Sequence, residues 1–144
     1  MPKAKLRHLA IATNDPDATA EFYKKAFGLR EVKKNDGELA KGYMLTDGTI
    51  NLAILKFKSD QTGKGMDYVG LHHMGFVVED LDKAGEHLES LGAPCFMPKP
   101  EHSMSFFEVK HRGPDGVVLD ISDHAWPGGA GLEDAPTEQK VGVS

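Results

Sequence analysis

A single cysteine, Cys95, in 144 residues excludes an internal disulfide and fits a reducing compartment. Long hydrophobic runs are missing as well. Nothing approaches the ~18 to 20 apolar residues of a membrane-spanning helix, so no membrane partner is expected. The opening "MPKAKLRHLAIA" has basic residues but no apolar stretch leading to a small-residue cleavage site; no secretory signal is expected, and the cytoplasm is the expected compartment. Positive charge is also in short supply. With 17 Lys and Arg against 22 Asp and Glu, the net charge of −5 argues against the basic footprint of a nucleic-acid binder and leaves a small molecule as the expected partner. No long Pro- or Ser-rich break divides the chain, and its length suits one compact domain or two small halves sharing a core.

What is present is an internal repeat. "LRHLAIATNDPDATAEFY" (6–23) aligns with "LHHMGFVVEDLDKAGEHL" (71–88), which places Leu6 on Leu71, His8 on His73, Ala10 on Gly75, Asp15 on Asp80 and Asp17 on Asp82. Each copy opens with a short apolar run of period-2 character. An Asp at a helix N-cap position follows, then a helical segment that ends at a glycine, Gly28 or Gly92. Three strand-like pieces come next in each half: "REVKK", "GYMLT" and "INLAILKF", then "PCFMP", "FFEVKH" and "VVLDIS". The last of each set follows an Asp-Gly turn, at Asp47-Gly48 and Asp115-Gly116. The expected fold is therefore α+β, two tandem βαβββ modules over about 5–57 and 70–123. The polar segment 58–69 links them in one domain spanning 1–126, and 127–144 forms a flexible tail with little to bury.

Alternation along a strand sorts the side chains. Leu9 and Ile11, then Ile50, Leu52 and Ile54, then Met74, Phe76 and Val78, then Val117, Leu119 and Ile121 should point at the helices. That leaves His8 with Ala10, His73 with Gly75, Asn51, and Asp120 with Ser122 on the opposite, concave face, where the small residues make room for a ligand. A lone strand histidine is more often a packed or surface group than a ligand. Here two histidines at related positions of a repeat share a face with Asp120, a carboxylate in an otherwise apolar strand that is costly to bury unpaired. His8, His73 and Asp120 therefore suggest a facial triad, two imidazoles and a carboxylate with other positions left open. His72 points away from His73 if the strand is regular and reads as structural, and Trp126 and Tyr43 read as packing.

These motifs, "LRHLAIATNDPDATAEFYKKAFGL", "GLHHMGFVVEDLDKAGEHLESLGA" and "RGPDGVVLDIS", resemble the vicinal oxygen chelate superfamily, which holds glyoxalase I, methylmalonyl-CoA epimerase, extradiol dioxygenases and bleomycin- or fosfomycin-resistance proteins. The resemblance covers about Leu6 to Asp123. It implies a cup-shaped mixed sheet and a divalent metal ion (Fe, Mn, Co, Ni or Zn) held by a residue on the first and last strand of each module: His8, Asn51, His73 and Asp120. A homodimer is also implied, since many members complete the cup with a second chain. Asn51 departs from the glyoxalase Glu and is similar to the neutral amide of the epimerase. The extradiol signature finds His102, Pro114, Gly116 and Asp120, with Lys110 where a Tyr belongs.

A site with a neutral Asn51 and one carboxylate would carry a net positive charge and favour an anionic substrate with vicinal oxygens. The first reading of the chemistry is an enolate-stabilising isomerase or lyase, with Glu108, His102 or Glu38 as the base. The second is an Fe(II) extradiol-type dioxygenase, and the third a binding or resistance protein without turnover.

Overall fold

The computed structural model describes residues 3–98 and 108–133. His102 and the last part of the expected tail lie outside the described residues. The first repeat forms β1 (Ala4–Ala12), α1 (Pro16–Phe27), β2 (Arg30–Asp36), β3 (Ala40–Thr46) and β4 (Asn51–Phe57). The second forms β5 (Gly70–Val78), α2 (Leu81–Ser90), β6 (Cys95–Met97), β7 (Val109–Arg112) and β8 (Val118–Ser122). The βαβββ order thus occurs twice.

The helices begin where the sequence signals them. Asp15 accepts the Ala18 N–H at 3.1 Å, Pro16 opens α1, and Asp80 accepts the Lys83 N–H at 3.0 Å, each satisfying a backbone donor that the first turn leaves open. Ala20 and Ala84 are the buried residues of the two helices. A small residue at each contact lets the helix sit close against the sheet. Around Ala20 pack Ile11, Leu45, Leu52 and Ile54; around Ala84 pack Phe76, Val78, Val109 and Ile121. The alternation expected from sequence holds for these side chains. Val117 departs from it: β8 begins one residue later, and Val117 is exposed at the end of the Pro114–Gly116 turn. Among the described residues, no helix is long and apolar enough to cross a membrane.

The strands join in one open, cup-like sheet with the order β2-β3-β4-β1-β5-β8-β7-β6. β1 and β5 pair antiparallel at its centre, while β4 runs parallel to β1 and β8 parallel to β5. Read outward from the centre, each half presents its first strand, then its last, third and second. Two irregularities interrupt the central pairing. Leu6 pairs with Phe76 and His8 with Gly75, so Arg7 is an extra residue on β1; Ala10 pairs with His73 and Ile11 with Leu71, so His72 is an extra residue on β5. Such bulges re-aim side chains. Arg7 and His72 are equivalent positions of the repeat, each directly before its histidine.

The start of the expected flexible tail is tied down. Arg7 donates to the carbonyls of Gly131 and Glu133 at 2.9 and 3.0 Å, Thr46 Oγ1 donates to Gly128 O at 2.8 Å, and Asn51 Nδ2 donates to Pro127 O at 2.7 Å. Residues 127–133 are therefore packed across the edge of the first module rather than free, because the buried polar groups of β1, β3 and β4 need acceptors there.

Gly42 in β3 shows how closely the strands of the first module approach. Its φ is +152°, and a Cβ built there would lie 1.9 Å from the Ile54 carbonyl oxygen. Gly42→Ala is expected to destabilise the protein by more than ~3 kcal/mol, read as a fall in the urea midpoint with an unchanged slope.

Candidate metal centre

One row of paired residues crosses the whole sheet on its concave face. From edge to edge it runs Arg30, Thr46, Asn51, His8, Gly75, Asp120, Lys110 and Met97, each the register partner of the next. The neighbouring row holds Met44, Ala53, Ala10 and His73. Polar groups in the first row stand beside small residues in the second, and a cavity of about 550 Å³ opens over them. Its walls include Met44, Ala53, Leu55 and Phe57, and its floor includes His8, His73, Glu108 and Lys110.

At the floor, His8 Nε2 lies 3.1 Å from His73 Nε2, which lies 3.0 Å from Asp120 Oδ2. One donor atom from each of His8, His73, Glu108 and Asp120 falls within 4.8 Å of all the others. Two ligands at right angles about a metal at ~2.1 Å are ~3.0 Å apart, so the spacing suits two edges of a coordination polyhedron. Asp120 Oδ2 is buried and takes no hydrogen bond among the described residues, a costly state for a carboxylate oxygen that a bound cation would relieve. The residues fit a divalent ion.

The hydrogen bonds around the floor aim these groups. Asn51 donates Nδ2–H to Pro127 O, which turns its Oδ1 toward His8 Nδ1 at 2.7 Å. An amide oxygen can only accept, so the His8 proton sits on Nδ1 and the Nε2 lone pair faces the cluster. Burial pushes the His8 pKa down to about 4, opposed by Glu108 and reinforced by His73. Burial and the Lys110 charge push His73 down to about 3. Both imidazoles are thus neutral near pH 7, the form that ligates. Asp120 divides its oxygens, Oδ1 accepting from Lys110 Nζ at 2.6 Å and Oδ2 facing the histidines. Burial and the neighbouring Asp120 carboxylate raise Glu108 to about 7. Crowded carboxylates of this kind are what a cation would separate electrostatically.

The positions singled out from sequence fall as follows. His8, His73 and Asp120 meet. Asn51 is beside them, its Oδ1 2.7 Å from His8 Nδ1 and its Nδ2 donating to Pro127 O. Glu108, expected as a base, also lies within reach of the donor group, so the charge reckoned from one carboxylate and a neutral Asn51 has to count a second acid and the Lys110 ammonium. Glu38 lines the cavity from the turn between β2 and β3. His72 is turned by its bulge toward the site side, with its Nδ1 2.7 Å from His73 Nδ1, contrary to the regular-strand expectation. His111 is buried in β7 and donates to Ala93 O at 2.8 Å. All four donors come from one chain, and no second copy is needed to bring them together.

Trp126 has a larger part than packing. It is 1% exposed, its ring lies parallel to His8 with centroids 4.7 Å apart, and its Nε1–H donates to Glu108 Oε1 at 3.0 Å. It holds two members of the group at once.

A profile of the Glyoxalase/Bleomycin resistance protein/Dioxygenase superfamily matches residues 5–121. The chain belongs to this superfamily. It is 30% identical over 127 residues to 4-hydroxyphenylpyruvate dioxygenase of Pseudomonas sp. (strain P.J. 874), a match that takes in 74% of this chain but 36% of that enzyme. The chain therefore spans about a third of that relative. It is 28% identical over 125 residues to the uncharacterized protein YaeR of Escherichia coli (strain K12), covering 81% of this chain and 93% of YaeR. Among solved structures, a Streptomyces coelicolor methylmalonyl-CoA epimerase variant in complex with 2-nitronate-propionyl-CoA superposes with a TM-score of 0.66 at 22% identity, over 83% of this chain and 96% of that one. The hypothetical protein BH1468 of Bacillus halodurans gives 0.67 at 19% identity, over 83% and 93%. At these identities the superpositions establish the fold.

Gly75 sits under the indole. A Cβ there would come within 2.8 Å of Trp126 Cη2 and Cζ2 and 3.0 Å of His8 Cβ. Gly75→Ala is expected to displace the ring, costing ~1–3 kcal/mol and shifting Trp126 fluorescence to the red as water reaches it. Emission unchanged from wild type would contradict this placement of the ring.

Proposed function

We propose that this protein is a divalent-metal-dependent enzyme that binds a small substrate through two vicinal oxygens and moves a proton at a carbon next to a carbonyl, as a glyoxalase- or epimerase-like isomerase or lyase. The observation that carries this is the convergence of His8, His73, Glu108 and Asp120, the first three of which line a cavity whose lining combines apolar residues such as Met44, Leu55 and Phe57 with charged ones such as Lys34, Asp36 and Glu38. The metal, when bound, would act as a Lewis acid toward the substrate oxygens, a contribution of several kcal/mol to developing charge.

The chain's own residues supply the rest. His8, His73 and Asp120 would hold the ion, with Asn51 and Lys110 fixing His8 and Asp120. Two carboxylates balance a divalent charge, which leaves the Lys110 ammonium to favour an anionic or enolate-like substrate. Glu108 Oε1 takes the Trp126 N–H, while its Oε2 lies 3.8 Å from Lys110 Nζ. Oε2 is therefore the atom proposed to take and return the substrate proton. Ala10 and Ala53 leave space above the floor, and Leu55 and Phe57 keep water from the reacting carbon. Glu38, on the rim, is retained as a second candidate base.

The 30% identity with a dioxygenase favours a second reading, Fe(II)-dependent oxygen chemistry at the same residues. A third, ligand binding without turnover, shares the cup. Elemental analysis of the purified protein, with proton exchange in heavy water and oxygen uptake measured on a panel of 1,2-dioxygenated compounds, separates them. Methylmalonyl-CoA, a 1,3-dicarbonyl compound named for the structural neighbours, is tested beside the panel. The expected result is about one divalent ion per chain, exchange at the carbon beside a carbonyl, and no oxygen consumption. Oxygen uptake would transfer the assignment to the second reading, and ligand affinity that survives His73→Ala without turnover to the third.

Asn51→Ala should leave the fold intact but free the His8 ring, weakening metal affinity by ~10–100-fold in a chelator competition. An unchanged affinity would remove Asn51 from its positioning role.

A further inference from the structure

His73 and His8 occupy equivalent places in the repeat, yet they are backed differently. His8 Nδ1 has the Asn51 oxygen at 2.7 Å, from the residue level with it on β4. On β8, Met74 pairs with Leu119, so the residue level with His73 is Val118, which has no side-chain acceptor. The second module lacks the group that aims the first histidine.

The bulge in β5 supplies it. His72, the extra residue, is 6% exposed, and its ring stacks on Phe57 with centroids 3.9 Å apart and 15° between planes. Phe57 thereby holds the ring with Nδ1 2.7 Å from His73 Nδ1, the same distance as in the Asn51 pair. On its far side His72 faces a separate cavity of about 310 Å³, lined also by Tyr68 and Asp60. Neither nitrogen of His72 belongs to the four-residue donor group.

We infer that His72 is a positioning residue that stands in for the missing Asn51 equivalent: its Nδ1 accepts the Nδ1 proton of His73, so that the His73 Nε2 lone pair is presented to the cup. This rests on the metal reading of the site. The bulge is then functional, since a regular strand would turn His72 to the helix side and leave His73 without an acceptor. A neutral His73 ring has one proton. Fixing it on Nδ1 is what frees Nε2 to ligate.

The test compares zinc binding by wild type, His72→Phe and His72→Asn, using the intact chain. Phe keeps a ring on Phe57 but has no acceptor, while Asn gives up the ring and keeps an acceptor near the Nδ1 position. Zinc affinity by chelator competition should fall ~10–100-fold in His72→Phe and recover most of the way in His72→Asn. Proton–nitrogen correlation spectra of zinc-loaded protein with isotope-labelled histidine should show a slowly exchanging His73 Nδ1–H in wild type and His72→Asn, and rapid exchange in His72→Phe. Thermal unfolding of the metal-free forms reports folding separately, and the wild-type spectrum tests the proton's place even if a variant fails to fold. Wild type that binds no zinc would overturn the metal reading and this inference with it. Zinc-binding wild type with His72→Phe of equal affinity, with His72→Asn as weak as His72→Phe, or with the His73 proton on Nε2 would overturn this inference alone.

Discussion

The antiparallel pairing of β1 with β5 is the constraint on which the site depends. It joins the two repeats at the centre of the sheet and sets His8 level with Gly75, which is itself level with Asp120. A one-residue slip would send one histidine through to the helix face and exchange it for an apolar neighbour. The hydrophobic pattern forbids that slip, because Ile11 would leave the α1 cluster and Phe76 and Val78 the α2 cluster. Burial of the two helix-facing clusters therefore fixes the register, and the register brings the imidazoles together. The chemistry on the concave face is placed by packing on the convex one.

Much of this was legible in the sequence because its period is simple. The aligned Asp15 and Asp80 mark helix starts, and the glycines after each helix mark the ends. Parity along "LAIA" and "MGFVV" separates His8 and His73 from the core. Asp120 stands out as a carboxylate in an apolar strand. Each of these signals is local, or repeats at a constant offset, and a reader of one chain can find it.

What escaped depends on contacts that no local pattern encodes. The resemblance implied Asn51 as a ligand, from the last strand of its module and the same face as the others; what it could not show is that the amide is oriented by the Pro127 carbonyl, far away in sequence. Trp126 lies outside the repeat, and only the path of the chain after β8 brings its ring over Gly75 and His8. Glu108 was legible as an acid two residues from Lys110 on the same face, yet its membership of the donor group comes from its distance to Asp120 and the histidines. His72 was misplaced by the assumption of an unbroken strand. The signal was available in principle: the repeat sets His72 on Arg7, and a charged Arg7 within an apolar strand is what a bulge would produce.

Such a cluster is expensive to hold without a cation. Asp120, Lys110 and both histidines are buried, and Asp120 Oδ2 has no hydrogen bond among the described residues. An apolar floor of the same volume would cost the fold less, since buried ion pairs seldom recover their desolvation energy. Lys110 offsets part of the carboxylate charge through Asp120 Oδ1. The fold therefore keeps one carboxylate oxygen and two imidazole nitrogens facing a common point, with Trp126 and Asn51 preventing their retreat. Groups restrained in that way recover from one another only part of what their burial costs. Their arrangement is explained by what they would bind together.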